Sequence, residues 1–161
     1  MIAIRRVRPE DSAEIFAWRN DPQTRAASMR QAAIPWDDHR EWFDQSLTNP
    51  RRWIYIAAVD DPDGSASPAG MCRFDAQAAS GMVEVSVNLN PRYRGRGLAT
   101  PILNAAIDAY FRERGGPTDL LARIRPSNVA SLRAFGAAGF VFEGADAEEG
   151  LDRYRRPAGD A

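Results

Sequence analysis

The residues with the most chemical content lie in one short stretch, Arg92-Tyr93-Arg94-Gly95-Arg96-Gly97-Leu98-Ala99. Glycine lets a backbone turn through conformations other residues avoid and lets a ligand approach the chain closely. The stretch follows a strand-like run over 82–89 and leads into a helix-like run over 98–114. The first turn of a helix offers N–H groups with no intrahelical partner, at the positive end of the helix dipole. Strand, glycine loop and helix start together make a cradle for an anion such as a phosphate, and Arg92, Arg94 and Arg96 add charge. The same composition also describes a tight turn with solvated arginines. Two phosphate motifs are excluded. Thr100 stands where a dinucleotide fingerprint needs its third glycine, and the P-loop spacing with its Lys-Ser/Thr is missing.

Two further groups could do chemistry. Across 83–88, valines alternate with Glu84, Ser86 and Asn88, so one strand face carries a carboxylate and the other is apolar. In the N-terminal half, Trp18-Arg19-Asn20 and His39-x-x-Trp42 combine aromatic surface with donors, and Arg25 and Arg30 lie between them.

The elements that must position these groups follow from periodicity and breakers. A weak alternation over 2–7 reads as a first strand. Asp11-x-x-Glu14 resembles a capping box ahead of a helix through Trp18, broken by Asn20-Asp21-Pro22. Residues 24–34 read as loop with some helix. Trp36-Asp37-Asp38 opens a second helix that Asn49-Pro50 stops. Runs over 53–59 and 70–74 form a hairpin through the Pro/Gly/Ser-rich loop 61–70. Pro101 is tolerated only near a first turn, which starts the next helix close to Gly97; Gly115-Gly116-Pro117 ends it. A buried-type strand over 120–124 precedes a helix over 128–138, capped by Ser127 or Asn128 and ended by Gly139. Strands over 140–143 and 151–156, joined by a loop over 144–150, close the chain. The order β-α-α-β-β-β-α-β-α-β-β makes an α/β mixed sheet with flanking helices, not a doubly wound parallel one.

The whole chain sets bounds. Its 161 residues fit one domain, 1–161, with a full core. A net charge of −1 gives no reason to expect nucleic acid or an acidic membrane as partner. Cys72 is the only cysteine, so there is no disulfide framework, which favours a reducing compartment. The first residues lack the apolar core of a signal peptide, and no run of about 18 apolar residues marks a membrane span. A cytoplasmic protein, monomeric or homodimeric and without a metal, is expected.

Arg92-x-x-Gly95-x-Gly97 matches the R/Q-x-x-G-x-G/A signature of the GNAT N-acetyltransferases, and the element order is also that of this family. A second stretch, Asn128-x-x-Ser131-x-x-x-Phe135-x-x-x-Gly139-Phe140, resembles the family motif N-x-x-S-x-x-x-Y-x-x-x-G-F, with phenylalanine in place of the tyrosine. The resemblance spans the chain, but only 82–140 carries specific motifs. It implies a mostly antiparallel sheet with one parallel pair splayed at its C-terminal ends. Acetyl-CoA would lie there, its pantetheine arm along the backbone of Val87 and Leu89. Its pyrophosphate would sit among Arg92, Arg94, Gly95, Arg96, Gly97, Leu98 and Ala99, with Asn128, Ser131 and Phe135 on the other side. Glu84 aligns with the acidic position of E-I-G-Y-x-L-x-P in related enzymes and is the expected base, directly or through water; a half-exposed structural carboxylate is the bland alternative. A backbone N–H near 87–89 would stabilise the oxyanion. Phe135 cannot act as the general acid its motif position implies. The thiolate therefore leaves unassisted, or Tyr93, Tyr154 or Ser131 substitutes.

The N-terminal half resembles acetyltransferases of nucleotide-linked amino sugars, including the pseudaminic-acid pathway type. Trp18, Arg19, Asn20, Arg30, His39 and Trp42 would then contact the acceptor, although tryptophans in a core and a paired Arg19 would explain the same residues structurally. His39 is expected as a structural residue or substrate contact ahead of the base. Acetylation of a protein N-terminus or ribosomal protein, and a coenzyme-A-binding module without turnover, are the competing readings.

Overall fold

The computed structural model describes residues 1–159. In chain order the elements are β1 (Ile2–Arg6), α1 (Ser12–Asn20), α2 (Pro22–Ala27), α3 (Trp36–Thr48), β2 (Arg52–Asp60), β3 (Ala66–Ala76), β4 (Val83–Leu89), α4 (Ala99–Arg114), β5 (Leu120–Ile124), α5 (Val129–Ala137), β6 (Val141–Asp146) and β7 (Leu151–Arg156). The strands form one sheet in the order β1-β2-β3-β4-β5-β7-β6. Every neighbouring pair is antiparallel except β4 and β5. The expected mixed sheet with one parallel pair is the fold observed.

Two apolar layers explain why the sheet holds. On one side, Ile102, Leu103, Ala106, Ile107 and Tyr110 of α4 and Phe135 of α5 pack on Tyr55, Phe74, Val83, Val85 and Leu120. Tyr110 stacks on Phe74 with ring centroids 4.5 Å apart, an offset pairing that adds about 0.5–1.5 kcal/mol beyond the area it buries. On the other side, Ile15 and Trp18 of α1 and Phe43 of α3 cover Ile54, Ile56 and Met71. β2 is apolar on successive residues because both of its faces are covered. β4 alternates because its second face is turned to a polar space. No helix among the described residues is long and apolar enough to cross a membrane.

Several local expectations are corrected. Asp11 does not cap α1 with its side chain. Its carboxylate takes both nitrogens of the Arg5 fork at 2.7 Å and the Arg8 N–H, a bidentate pairing that outcompetes the helix amides. Residues 22–27 are a full helical turn and more. Pro22 sits at the first position and Asp21 accepts the N–H groups of Gln23 and Thr24 at 3.1 Å, so the expected breaker restarts a helix. β3 begins at Ala66, four residues before the expected Gly70, and β6 continues to Asp146 through the expected loop. In both cases cross-strand pairing extends a strand past small or polar residues.

Candidate active site

The β4–β5 ladder contains two pairs, Val83↔Leu120 and Glu84↔Leu121. Beyond Glu84 the strands part. β4 stays on β3 through Gly70↔Leu89, and β5 stays on β7 through Ile124↔Asp152. Backbone groups of β4 facing the gap have no strand to pair with, and such groups seek a partner. The wedge opens at the C-terminal ends of a parallel pair, where ligands of α/β sheets enter.

At the mouth of the wedge the start of the loop is pinned by Asn90. Asn90 accepts the Arg92 N–H at 3.1 Å and donates to Pro68 O at 2.9 Å, closing a short 3-10 turn over Pro91–Tyr93. Gly95 and Gly97 have φ of +72° and +69°, left-handed values that cost a residue with a Cβ roughly 1–2 kcal/mol. No side chain caps α4, and its first bond runs from Ile102 N–H to Leu98 O. Pro101 has no N–H, so the amides of Ala99 and Thr100 remain as donors, as a phosphate site requires. Arg92 and Arg96 are exposed and lie over the Tyr93 ring. Arg94 does something different. It reaches back to Asp21 at 2.7 Å, to Thr24 Oγ1 at 2.5 Å and to Gln23 Oε1 at 3.3 Å. Its charge is committed to α2.

Glu84 sits where the strands begin to part, on the face away from α4. Its carboxylate accepts from Arg123 Nε at 3.0 Å and Gln77 Nε2 at 3.1 Å. Arg123, on β5, reaches across the opening and also bonds Glu149 of the β6–β7 turn at 2.5 Å. Asp75 of β3 lies directly opposite Glu84 and is held by Arg52 at 2.5 Å and Arg73 at 2.7 Å. The face is thus a row of carboxylates, each braced by a guanidinium.

Beside that row, Trp42 is surrounded by cations. The guanidinium carbons of Arg19, Arg52 and Arg73 lie 4.2, 5.5 and 5.8 Å from its ring centroid. Arg19 has no carboxylate partner among the described residues. Burial, then the charges of Arg73, Arg30 and Arg52, pull its pKa down to about 10. Although Arg73 Nε is near Asp75, its N–H is buried without an aligned acceptor. A desolvated cation without a counter-charge is costly to a fold.

His39 explains how Arg19 is aimed. It is 1% exposed among Phe16, Trp36, Trp42 and Phe43. Its Nδ1 faces Arg19 Nη1 at 3.5 Å and its Nε2 faces Ser12 O at 2.9 Å. An arginine can only donate, so Nδ1 is the acceptor and Nε2–H donates to Ser12 O. Burial lowers the His39 pKa, the Ser12 bond opposes this and the Arg19 charge adds to it. A neutral ring with both nitrogens engaged orients Arg19 and faces no ligand. Trp18 is 4% exposed in the core beneath α1. Asn20 brackets Ile34, donating to its O at 2.9 Å and accepting its N–H at 2.8 Å. Of the six N-terminal residues singled out in the sequence, Arg19 and Trp42 come together on the open face, and Arg30 is exposed near them.

The family profile described as "Acetyltransferase (GNAT) domain" matches residues 2–141. The chain belongs to this family. Solved structures share the fold at low identity. A domain from Methanocaldococcus jannaschii superposes with a TM-score of 0.80 at 18% identity, covering 96% of this chain and 97% of that one. Spermidine N-acetyltransferase from Vibrio cholerae, in complex with CoA and spermine, gives 0.78 at 17%, covering 96% and 92%. Aminoglycoside acetyltransferase AAC(6')-Ib, in complex with coenzyme A, gives 0.79 at 19%, covering 98% and 95%. No curated protein matches by sequence.

The protein is thus an acyltransferase of GNAT type whose acyl donor is acetyl-CoA. The wedge and the uncapped α4 start have the donors that a pantetheine amide and a pyrophosphate need. The second GNAT motif lies across the wedge on α5. Asn128 caps this helix by accepting the Ser131 N–H at 3.1 Å. Phe135 is 3% exposed, edge-on to Phe140 at 5.0 Å. Tyr93 donates to Asp61 at 2.9 Å and is 1% exposed, so its hydroxyl is occupied. Arg52, Arg73, Asp75 and Arg123 were not singled out in the sequence. Arg73 and Asp75 alternate with Cys72 and Phe74, and that period placed them opposite the core.

Proposed function

We propose that this acetyltransferase, as a single 1–161 domain, moves the acetyl group of acetyl-CoA to the amine of a nucleotide-linked amino sugar. One observation carries the choice of acceptor: Arg19 is stacked on Trp42 without a counter-anion, with Arg52, Arg73 and Arg30 close by. Phosphate supplies the missing charge in geometry that suits guanidinium, and the exposed Trp36 ring next to Phe16 offers a flat surface for a base. The same cluster repels polyamine and aminoglycoside cations.

Acetyl-CoA would lie along Val87 and Leu89, with its pyrophosphate on the amides of residues 95–99 and the charges of Arg92 and Arg96. Asn128 and Ser131 would line the opposite side, with Phe135 packed in the core beneath them. The acceptor amine loses its proton to Glu84, directly or through a water, and its nitrogen attacks the thioester carbonyl. An N–H of 87–89 on the unpaired edge of β4 stabilises the oxyanion. As the C–S bond breaks, the thiolate leaves without a donor at position 135; a thiol of pKa about 8.5 is a tolerable leaving group. Arg123 keeps the Glu84 carboxylate in place.

Thiol release from acetyl-CoA, followed with uridine-diphosphate amino sugars, spermine, an aminoglycoside and N-terminal peptides, tests this reading. Turnover is expected with the nucleotide sugars. Faster turnover of spermine or of a peptide refutes it.

A further inference from the structure

The segment between α1 and α3 is tied to both lips of the wedge. On the β4 side, Arg94 holds Asp21, Thr24 and Gln23. On the β5 side, Arg125 donates to Ser28 O at 2.9 Å and to Met29 O at 3.3 Å. The segment is also braced within itself: Arg25 donates to Asn20 O at 3.2 Å and Asn20 clasps Ile34. It therefore crosses the wedge mouth as a strap. It also carries Arg30, whose charge is felt at Arg19. The strap thus joins the glycine loop that follows β4, by direct contacts, to the cation cluster around Trp42, through the charge of Arg30 on Arg19.

We propose that Arg94 is a positioning residue that couples the acetyl-CoA loop to the acceptor wall, and not a phosphate ligand. The inference rests on acetyl-CoA binding at the loop 92–99. Arg94 has a carboxylate, a hydroxyl and an amide as acceptors, whereas the neighbouring Arg92 and Arg96 are exposed and free to meet phosphate. The Arg94 hydrogen bond, helped by the Thr24 amide and opposed by desolvation, keeps the Asp21 carboxyl below its usual range. When pyrophosphate orders Gly95–Ala99, it also orders the backbone that carries Arg94. The strap then loses freedom, and a second ligand resting on it has less order to impose. Coupling of this kind is reciprocal: the factor by which CoA tightens the strap equals the factor by which an intact latch tightens CoA.

Hydrogen exchange at the amides of Arg25 and Ser28, which bond Asp21 O and Arg25 O, reads the strap without any acceptor. Calorimetry with CoA reads the other end. In the wild type, saturating CoA should slow these amides by about five-fold or more. Asp21→Asn keeps a capping side chain for α2 but removes the charge. It should still bind CoA, weaker by the same factor, with the strap amides no longer responding. Arg94→Met, which leaves the Asp21 cap intact, should behave alike. Wild-type strap amides indifferent to bound CoA, or Asp21→Asn amides slowed as much as wild type, would overturn the proposal. A wild type that gives no heat with CoA would instead strike the cofactor site on which the proposal rests.

Discussion

Replacing Arg19 with methionine should leave the free protein at least as stable and make the enzyme inactive. A guanidinium drawn from its ordinary range down to about 10 carries on the order of 3 kcal/mol against its charge, at about 1.4 kcal/mol per tenfold change in proton affinity. The side chain still reaches solvent, so screening leaves roughly half of that. Methionine keeps the stem packed on Trp42 but gives up a cation–π contact of about 0.5–1 kcal/mol and the long His39 bond. The net is a gain of at most about 0.5 kcal/mol, or roughly 1–2 °C in Tm for a chain of this size. The sign with pH follows from the same shift. In the window between the folded value and the ordinary guanidinium value the unfolded chain holds more protons at this site, so this contribution to stability rises with pH there. Below about pH 10 the penalty is fully present. Thermal unfolding at neutral pH, at low and at high salt, measures the effect. Salt should raise the wild-type Tm more than that of Arg19→Met, because it screens the repulsion among Arg19, Arg52 and Arg73. If Arg19→Met melts several degrees lower at both salts, Arg19 is a net structural cation and the case for an anion-bearing acceptor fails.

The other variants test separate parts of the site. Glu84→Gln should lower kcat by about 10²–10⁴ and leave the acetyl-CoA KM near wild type; steady-state kinetics showing a normal kcat would remove Glu84 as the base. Gly97→Ala forces a Cβ onto a φ of +69°, so CoA binding should weaken by about ten-fold or the loop should give up roughly 1–2 kcal/mol of stability. Calorimetry and melting together show which, and neither changing would mean that the loop is not set for a ligand. Phe135→Tyr inserts a hydroxyl into a site 3% exposed beside Phe140, and should cost about 1–3 kcal/mol if unpaired without raising kcat. A tenfold faster turnover would show that the leaving thiolate does want a proton donor.

Legibility in the sequence followed the range of the interactions. The β4 alternation, the glycine loop and the α4 stop at Gly115 are local devices, and each was readable within a dozen residues. α2 was less so, because Asn20-Asp21-Pro22 serves equally to end one helix and to cap the next. The arginines mark the limit most clearly. Arg92, Arg94 and Arg96 have the same residue type and even spacing, which invites one role for all. The structure divides them by partners far away in sequence: Asp21 and Thr24 claim Arg94, while Arg92 and Arg96 stay in solvent over Tyr93. The cluster at Trp42 joins α1, α3, β2 and β3 only because the register Arg52↔Asp75↔Glu84 brings those rows level. A slip of one residue would turn Arg73 and Asp75 into the core and leave Arg19 alone. Cross-strand register thus decides the charge of this face of the sheet, on which the proposed choice of acceptor rests.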